Sequence, residues 1–170
     1  MIEKWDAYDG YGNKAGFTLQ KGQPIPKGYY HLVAHVLVRH SDNDYLLTKR
    51  SLQKASYPGR YEASIQGSAL VNETALSCAQ RELYEETGII GDNWQLVDEY
   101  RSTYCLIKCF TCIYHGHKDA IKLQPAETIA YKWLDEEAFI SFIHSDEMIQ
   151  SHLLRFQRYF KQLGLISKIF

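Results

Sequence analysis

The sequence predicts an α/β fold in which one mixed sheet lies between helices. Three observations carry this. Short runs rich in β-branched and aromatic residues recur along the chain, several joined by turn clusters that make hairpins. One segment, Gly67 to Ile89, switches to helical spacing. Beyond Leu134 the apolar residues again return at intervals of three and four, which places helices at the end of the chain. At 170 residues the chain suits one domain with a real core. We expect a core of about 29–145, preceded by an N-terminal hairpin (1–28) and followed by a C-terminal helix (about 147–163).

In order, Lys4 to Asp9 reads as a strand, Asp9-Gly10-Tyr11-Gly12-Asn13 as a turn, and Gly16 to Gln20 as the returning strand. The loop Pro24-Ile25-Pro26-Lys27-Gly28 leads into YYHLVAHVLV, Tyr29 to Val38, the expected central strand. His31 and His35 lie on one side of it and read as packed histidines rather than ligands. Ser41 to Asp44 turns the chain into the partner strand Tyr45 to Arg50. SLQKASYPGRYEAS is mostly loop, with Pro58-Gly59 at a turn, and Tyr61 to Gln66 is a short strand. A helix is expected from about Asn72, as N-cap, to Thr87, with Leu76, Ala79 and Leu83 facing inward. Trp94 to Tyr100 and Thr103 to Tyr114 form the next hairpin, and a strand ends near Trp133. A helix then buries Ala138, Phe139, Phe142 and Ile143, and a second runs from about Glu147 to Leu163 and stops at Gly164.

Net charge is −1, so no strong field draws the chain to nucleic acid or membrane. No apolar run approaches the ~20 residues of a spanning helix, and MIEKWDAYDG lacks the apolar stretch of a signal peptide. The expectation is a cytoplasmic protein with neither nucleic acid nor membrane as partner. Cys105, Cys109 and Cys112 lie in a strand that points the first two one way and the third the other. They read as reduced, packed thiols rather than zinc ligands.

The chemistry concentrates in GSALVNETALSCAQRELYEETGI. At ~100° per residue, Glu85 and Glu86 fall near −60° and +40° of Glu82, so the three carboxylates share a helix face. Like charges at this spacing repel, and they sit in the last turn, where the helix dipole is already negative. Arg81 is one cation against three anions. A bound hard cation relieves the rest, because Mg²⁺ prefers carboxylate, water and phosphate oxygens. Gly88 supplies a left-handed helix stop.

Gly67, Glu73, Arg81, Glu82, Leu83, Glu85, Glu86, Gly88 and Ile89 fill every defined position of the Nudix box, G-x5-E-x7-R-E-U-x-E-E-x-G-U with U aliphatic. Seven fixed letters at these offsets arise by chance on the order of once in 10⁸ windows, so the stretch resembles the Nudix hydrolase superfamily rather than a solvated acidic face. The resemblance implies a Nudix α/β/α sandwich and hydrolysis of a nucleoside diphosphate linked to another group. It implies Mg²⁺ or Mn²⁺ as cofactor, held by Glu85, Glu86 and Glu82, with Glu82 as a ligand or the water-activating base. Gly67 would let a backbone carbonyl, of Gln66 or of Gly67 itself, come close to the metal, Arg81 would orient Glu82 or Glu85, and Glu73 would support the site from behind. Glu127 is the expected further acid from a later loop. Arg50, Lys54 and Arg60, with Lys49 nearby, form an expected phosphate-facing patch, and Tyr57, Tyr61 or Tyr104 could stack a base. The partner expected is a small diphosphate, and a homodimer is also implied.

The KRS…K…PGRYEAS stretch further resembles the branch that includes type I isopentenyl-diphosphate isomerase. Gln66 and Ser68 stand where that enzyme places its cysteine and histidine, and an amide is no general acid. The residues therefore favour hydrolysis, with isomerase-like chemistry and a non-catalytic nucleotide sensor as alternatives.

Overall fold

The computed structural model describes residues 2–169. Nine strands and five short or medium helices follow the expected order. A two-stranded hairpin, β1 (Lys4–Tyr8) and β2 (Lys14–Gln20), precedes the main sheet. That sheet contains β3 (His31–His40), β4 (Tyr45–Arg50), β5 (Tyr61–Glu62), β6 (Ile65–Ser68), β7 (Asp92–Arg101), β8 (Cys105–Tyr114) and β9 (Thr128–Leu134). The helices are α1 (Ala75–Thr87), α2 (Glu136–Ile143), α3 (Gln150–Leu153), α4 (Gln157–Gln162) and α5 (Ile166–Ile169).

β3 is central, as its apolar run requires. It pairs in parallel with β8 along its whole length, from His31↔Cys105 to His40↔Tyr114. Its even residues, Leu32, Ala34, Val36 and Val38, pack against α1 through Ala79 and Leu83. Val33 and Leu37 face the other layer, where Phe139, Ile143, Phe156 and Phe160 of the C-terminal segment close the core. Both faces of the strand are buried, so apolar residues occupy it almost continuously. The result is the α/β/α sandwich expected. Cys109 and Cys112 lie in the two opposite core layers, and all four cysteines are free.

One departure from regular pairing opens the molecule. β3 and β4 meet in register only at Arg39↔Tyr45. Beyond that point β3 turns to β6, from Val36↔Ile65 to Val33↔Ser68, while β4 pairs with β9 and with β5. The split between the two halves of the hairpin leaves room for a cavity.

The box helix starts later than expected. Asn72 is not its cap but takes a left-handed turn at φ 68°, and Thr74 caps instead. The Ser77 amide donates to the Thr74 hydroxyl, and the Thr74 amide donates back to Ser77 Oγ. Leu76 is exposed, and Cys78 occupies the inward position assigned to it. Gly88 ends the helix at φ 70° with its amide bonded to the Tyr84 carbonyl, as its position required.

In α2 Phe139 and Ile143 are buried, whereas Ala138 and Phe142 are only half-buried. The long second C-terminal helix is broken. Glu147 ends a turn and Met148 bridges Tyr61 in parallel: the Tyr61 amide donates to the Glu147 carbonyl at 2.8 Å, and the Ile149 amide to the Tyr61 carbonyl at 2.9 Å. This covers the free side of β5. Helix begins only at Gln150 and is interrupted by a 3-10 turn, Leu154–Phe156, that drops Phe156 into the core. α4 ends before Gly164, which is left-handed at φ 72°. Among the described residues no helix is long and apolar enough to cross a membrane.

Replacing Thr74 by Ala removes the hydroxyl that accepts the Ser77 amide. Urea unfolding is expected to show a loss of about 1 kcal/mol.

Candidate active site

Where β3 and β4 part, a cavity of about 290 Å³ is lined by Glu62, Glu82, Glu86, Glu127, Arg50 and Lys54, with Gln66, Gly67 and Ser68 along one wall. Each comes from an element already described: Glu82 and Glu86 from α1, Gln66 to Ser68 from β6, Glu62 from β5, Arg50 from the end of β4. Glu3 and Lys21 of the N-terminal hairpin stand at the rim, paired at 2.7 Å.

Gly67 is required by space. A Cβ on it would lie 1.9–2.4 Å from the Glu82 carboxylate and its Cγ. Only glycine lets α1 press Glu82 against the β6 backbone.

Arg81 organises the acids. Its Nε and Nη2 donate to Glu73 at 2.7 and 2.9 Å, its Nη1 to Glu82 at 2.8 Å and to Glu85 at 3.1 Å, and Nη2 also to the Ser68 carbonyl at 3.2 Å. Glu73 closes the loop by accepting the Leu70 amide at 2.8 Å. Burial works against the Glu73 charge, but the bonds from Arg81 and Leu70 outweigh it and hold its pKa below the usual range. Arg81 is driven further up, first by its bond to Glu73.

The three carboxylates expected on one face divide. Glu85 is half exposed and accepts from Arg81 outside the cavity wall. Glu82 and Glu86 turn in, because adjacent positions about 100° apart on a helix cannot all point into one cleft. Burial raises the pKa of Glu82. Burial, then the charges of Glu62 and Glu82, push Glu86 up to about 8 despite a bond at 3.2 Å from the Thr128 hydroxyl.

The basic patch also divides. Lys54 enters the cavity, where it is ion-paired with Glu127. Arg50 is not free for phosphate: it is 6% exposed, and its guanidinium donates to Glu62 at 2.9 Å and to the Ser56 carbonyl at 3.0 Å. Arg60 faces a separate depression with Tyr57 and Gln150, and Lys49 sits over the Tyr61 ring. Tyr61 is itself buried in the core, and Tyr57 and Tyr104 line no wall of the cavity. Glu127 does reach the cavity, as expected. Glu62, Lys21 and Glu3 were not expected there, nor was the Thr128 hydroxyl behind Glu86. Glu62 directly follows the strand residue Tyr61 in the basic loop–strand stretch, but nothing local marks it. A larger groove of about 710 Å³, lined by Tyr8, Leu32, Arg101 and Leu106 among others, receives none of the box carboxylates.

The sequence matches the NUDIX domain family over residues 29–155. The chain belongs to the Nudix family. An uncharacterized Nudix hydrolase of Listeria monocytogenes is 35% identical over 91 residues, which cover 54% of this chain and 54% of that protein. Nudix hydrolase 3 of Arabidopsis thaliana is 26% identical over 164 residues, 85% of this chain and 21% of that protein. The chain spans about half the length of the Listeria relatives it matches. Its fold is shared with the crystal structure of DR0079 from Deinococcus radiodurans, with TM-score 0.72, 17% identity, and 92% of this chain and 99% of that one covered. It is shared too with the Nudix domain of Shewanella oneidensis NrtR complexed with ADP ribose, with TM-score 0.62, 16% identity, and 79% and 88% covered. At these identities the likeness is one of fold. The hairpin β1–β2 lies outside the matched Nudix region, yet it supplies the rim pair of the cavity.

A divalent cation is the group the Nudix fold implies. Among the described residues no three His, Cys, Asp or Glu side chains are gathered into a ready ligand cluster. The donor chemistry nevertheless fits. The cavity holds five glutamates against Lys21, Arg50 and Lys54, two of its carboxylates are buried beside one another's charge, and its donors are hard oxygens.

Two outcomes follow. Arg81→Ala is expected to lower stability by about 2 kcal/mol, because charge-assisted bonds to Glu73 and Glu82 are lost together; Arg81→Lys should recover only part, having no fork. In chelator, the raised Glu86 pKa means the folded state holds a proton that the unfolded chain has released. Stability should therefore fall as pH rises from about 4.5 towards about 8. Thermal unfolding across that range should show the decline, and Glu86→Gln should flatten it.

Proposed function

We propose that the protein is a divalent-metal-dependent hydrolase of a pyrophosphate bond in a nucleoside diphosphate derivative. The observation that carries this reading is half-buried Glu82 and buried Glu86 facing one cavity, with the Gly67 backbone pressed against Glu82. Glu82 and Glu86, with the Gly67 carbonyl, would hold Mg²⁺ or Mn²⁺. When bound, the cation neutralises diphosphate oxygens and lowers the pKa of an attacking water.

The chain's own groups do the rest. Arg81 fixes Glu82 and holds Glu85 beside it, so these acids are held before substrate arrives. Thr128 holds one Glu86 oxygen by a hydrogen bond, which fixes the rotamer of a side chain at the helix end. Lys54 and Glu127 neutralise each other across the mouth. A substrate phosphate competes for Lys54 and leaves the Glu127 carboxylate free to accept a water proton or support the metal. Attack at one phosphorus forms a new P–O bond and breaks the bridging P–O bond, and two phosphorylated products leave.

Relatives named Nudix hydrolases, and structural neighbours in complex with ADP ribose or named as an Ap4A hydrolase, support a nucleotide derivative as substrate. The isomerase-like alternative gains nothing from the cavity. Gln66 is an amide whose Oε1 accepts from Arg155 at 3.0 Å, so it is neither acidic nor free.

The test is phosphate release from a panel of nucleoside diphosphate derivatives with Mg²⁺ or Mn²⁺. Activity is expected with metal and should vanish in chelator. Glu86→Gln should lower turnover by at least about 100-fold at saturating metal. Wild-type turnover in that variant, or hydrolysis undiminished by chelator, would overturn the mechanism.

A further inference from the structure

Gln66 borders the cavity beside Gly67 and Ser68, and its side chain is held by a distant segment. β6 pairs with β3 at His35↔Gln66, so these two side chains stand on one face of the sheet. The 3-10 turn Leu154–Phe156 brings Arg155 to both. Arg155 Nη1 donates to Gln66 Oε1 at 3.0 Å and to His35 Nδ1 at 3.2 Å. A guanidinium carries donors only, so the amide oxygen must face it and Nδ1 must be the bare ring nitrogen. Burial, then the charge of Arg155, holds the His35 pKa well below its usual value, so the imidazole is neutral and able to accept.

The bond that engages the amide oxygen turns the amide nitrogen away from Arg155. Among the described residues Gln66 Nε2 has no hydrogen-bond partner, and it is not one of the unpaired polar atoms sealed from solvent. Gln66 is half-buried and lines the cavity, so the cavity is where Nε2 meets solvent. The cationic side chains that line the same space are already engaged: Lys21 with Glu3, Arg50 with Glu62 and Lys54 with Glu127. Glu82 and Glu86 add only acceptors when ionised, and the ionised oxygens of a diphosphate accept as well. An uncommitted N–H complements them, and a guanidinium on the carbonyl end of its amide polarises it further.

We infer that Gln66 donates an Nε2 hydrogen bond to a non-bridging phosphate oxygen of the substrate diphosphate, and that Arg155 is the positioning residue that keeps the amide turned for it. This rests on the hydrolase reading above and extends it to two residues outside the Gly67–Ile89 motif. Gln66 directly precedes Gly67, so the donor and the acids proposed to hold the metal border one cavity. Arg155 reaches it from the far end of the chain, and does so because the C-terminal helix is broken at that point.

The experiment is calorimetric titration of the full chain with methylenediphosphonate, a diphosphate mimic that is not cleaved, in Mg²⁺, with thermal unfolding alongside. The wild type is expected to bind it and to lose it in chelator. Gln66→Met removes the donor without adding charge and should weaken binding by about 10- to 100-fold, the scale of a hydrogen bond to a charged group. Arg155→Met lets the amide turn over and should weaken binding about threefold. Arg155→Lys, which still donates to Oε1, should recover most of that. Where Gln66→Met strands Arg155 and prevents folding, Gln66→Glu keeps the Arg155 contact, replaces the donor by an acceptor, and should lose at least as much. A purely structural tie would lower the unfolding temperature and leave the affinity of the folded protein unchanged. A folded Gln66 variant that binds the mimic as tightly as the wild type therefore overturns this inference, and the proposed function stands if chelator still abolishes that binding. Failure of the wild type to bind the mimic in Mg²⁺ overturns the proposed diphosphate site and this inference with it.

Discussion

One guanidinium holds the loop–helix unit together. Arg81 reaches Glu73 in the loop, Glu82 and Glu85 on its own helix, and the Ser68 carbonyl at the end of β6. A planar fork with several donors can do this, and a lysine cannot. The bonds lock the strand, the loop and the helix into one piece, and they determine which carboxylates remain for the cavity. Glu73 and Glu85 are spent on Arg81. Glu82 is shared between Arg81 and the cavity, and Glu86 is left to the interior. The division of labour among the four motif glutamates follows from where one cation can reach.

The second constraint is desolvation. The parting of β3 and β4 makes a cleft, and among the described acids that line it Glu86 alone has no cation paired with it. Burial is the largest effect on both Glu82 and Glu86, and in Glu86 the charges of Glu62 and Glu82 add to it. A site of this kind is unfavourable on its own and becomes favourable once a hard cation and an anionic phosphate fill it. The fold carries that cost elsewhere, in two well-packed core layers on either side of β3.

Much of this was legible along the chain. The β3 run is apolar because both faces are buried, and Gly88 marks a helix stop that the backbone needs. Gly67 marks a close approach, which the space beside Glu82 confirms. Other readings failed where a distant segment competes for local groups. Asn72 has the chemistry of a cap, but Thr74 with Ser77 makes the reciprocal pair and Asn72 is left to turn the chain. The 147–163 stretch has helical spacing, but Tyr61 takes its first residues into an extended pairing. Arg50 was expected in a phosphate-facing patch beside Lys49, yet the β4–β5 pairing buries it against Glu62. Glu62 itself gave no signal, because a single glutamate after a tyrosine has no period and no spacing to read.

By itself the sequence determined the order of elements, the two-sided burial of the central strand, and the set of acids and glycines from Gly67 to Ile89. These depend on side-chain chemistry at short range: periodicity, capping and the left-handed freedom of glycine. Only the tertiary structure decided which of those acids face inward, that Lys54 meets Glu127, and that Glu62 and the hairpin residues Glu3 and Lys21 join the cavity. Those outcomes depend on which strands pair and where β3 leaves β4. Register across a sheet brings together residues far apart in the chain, and no local pattern encodes it.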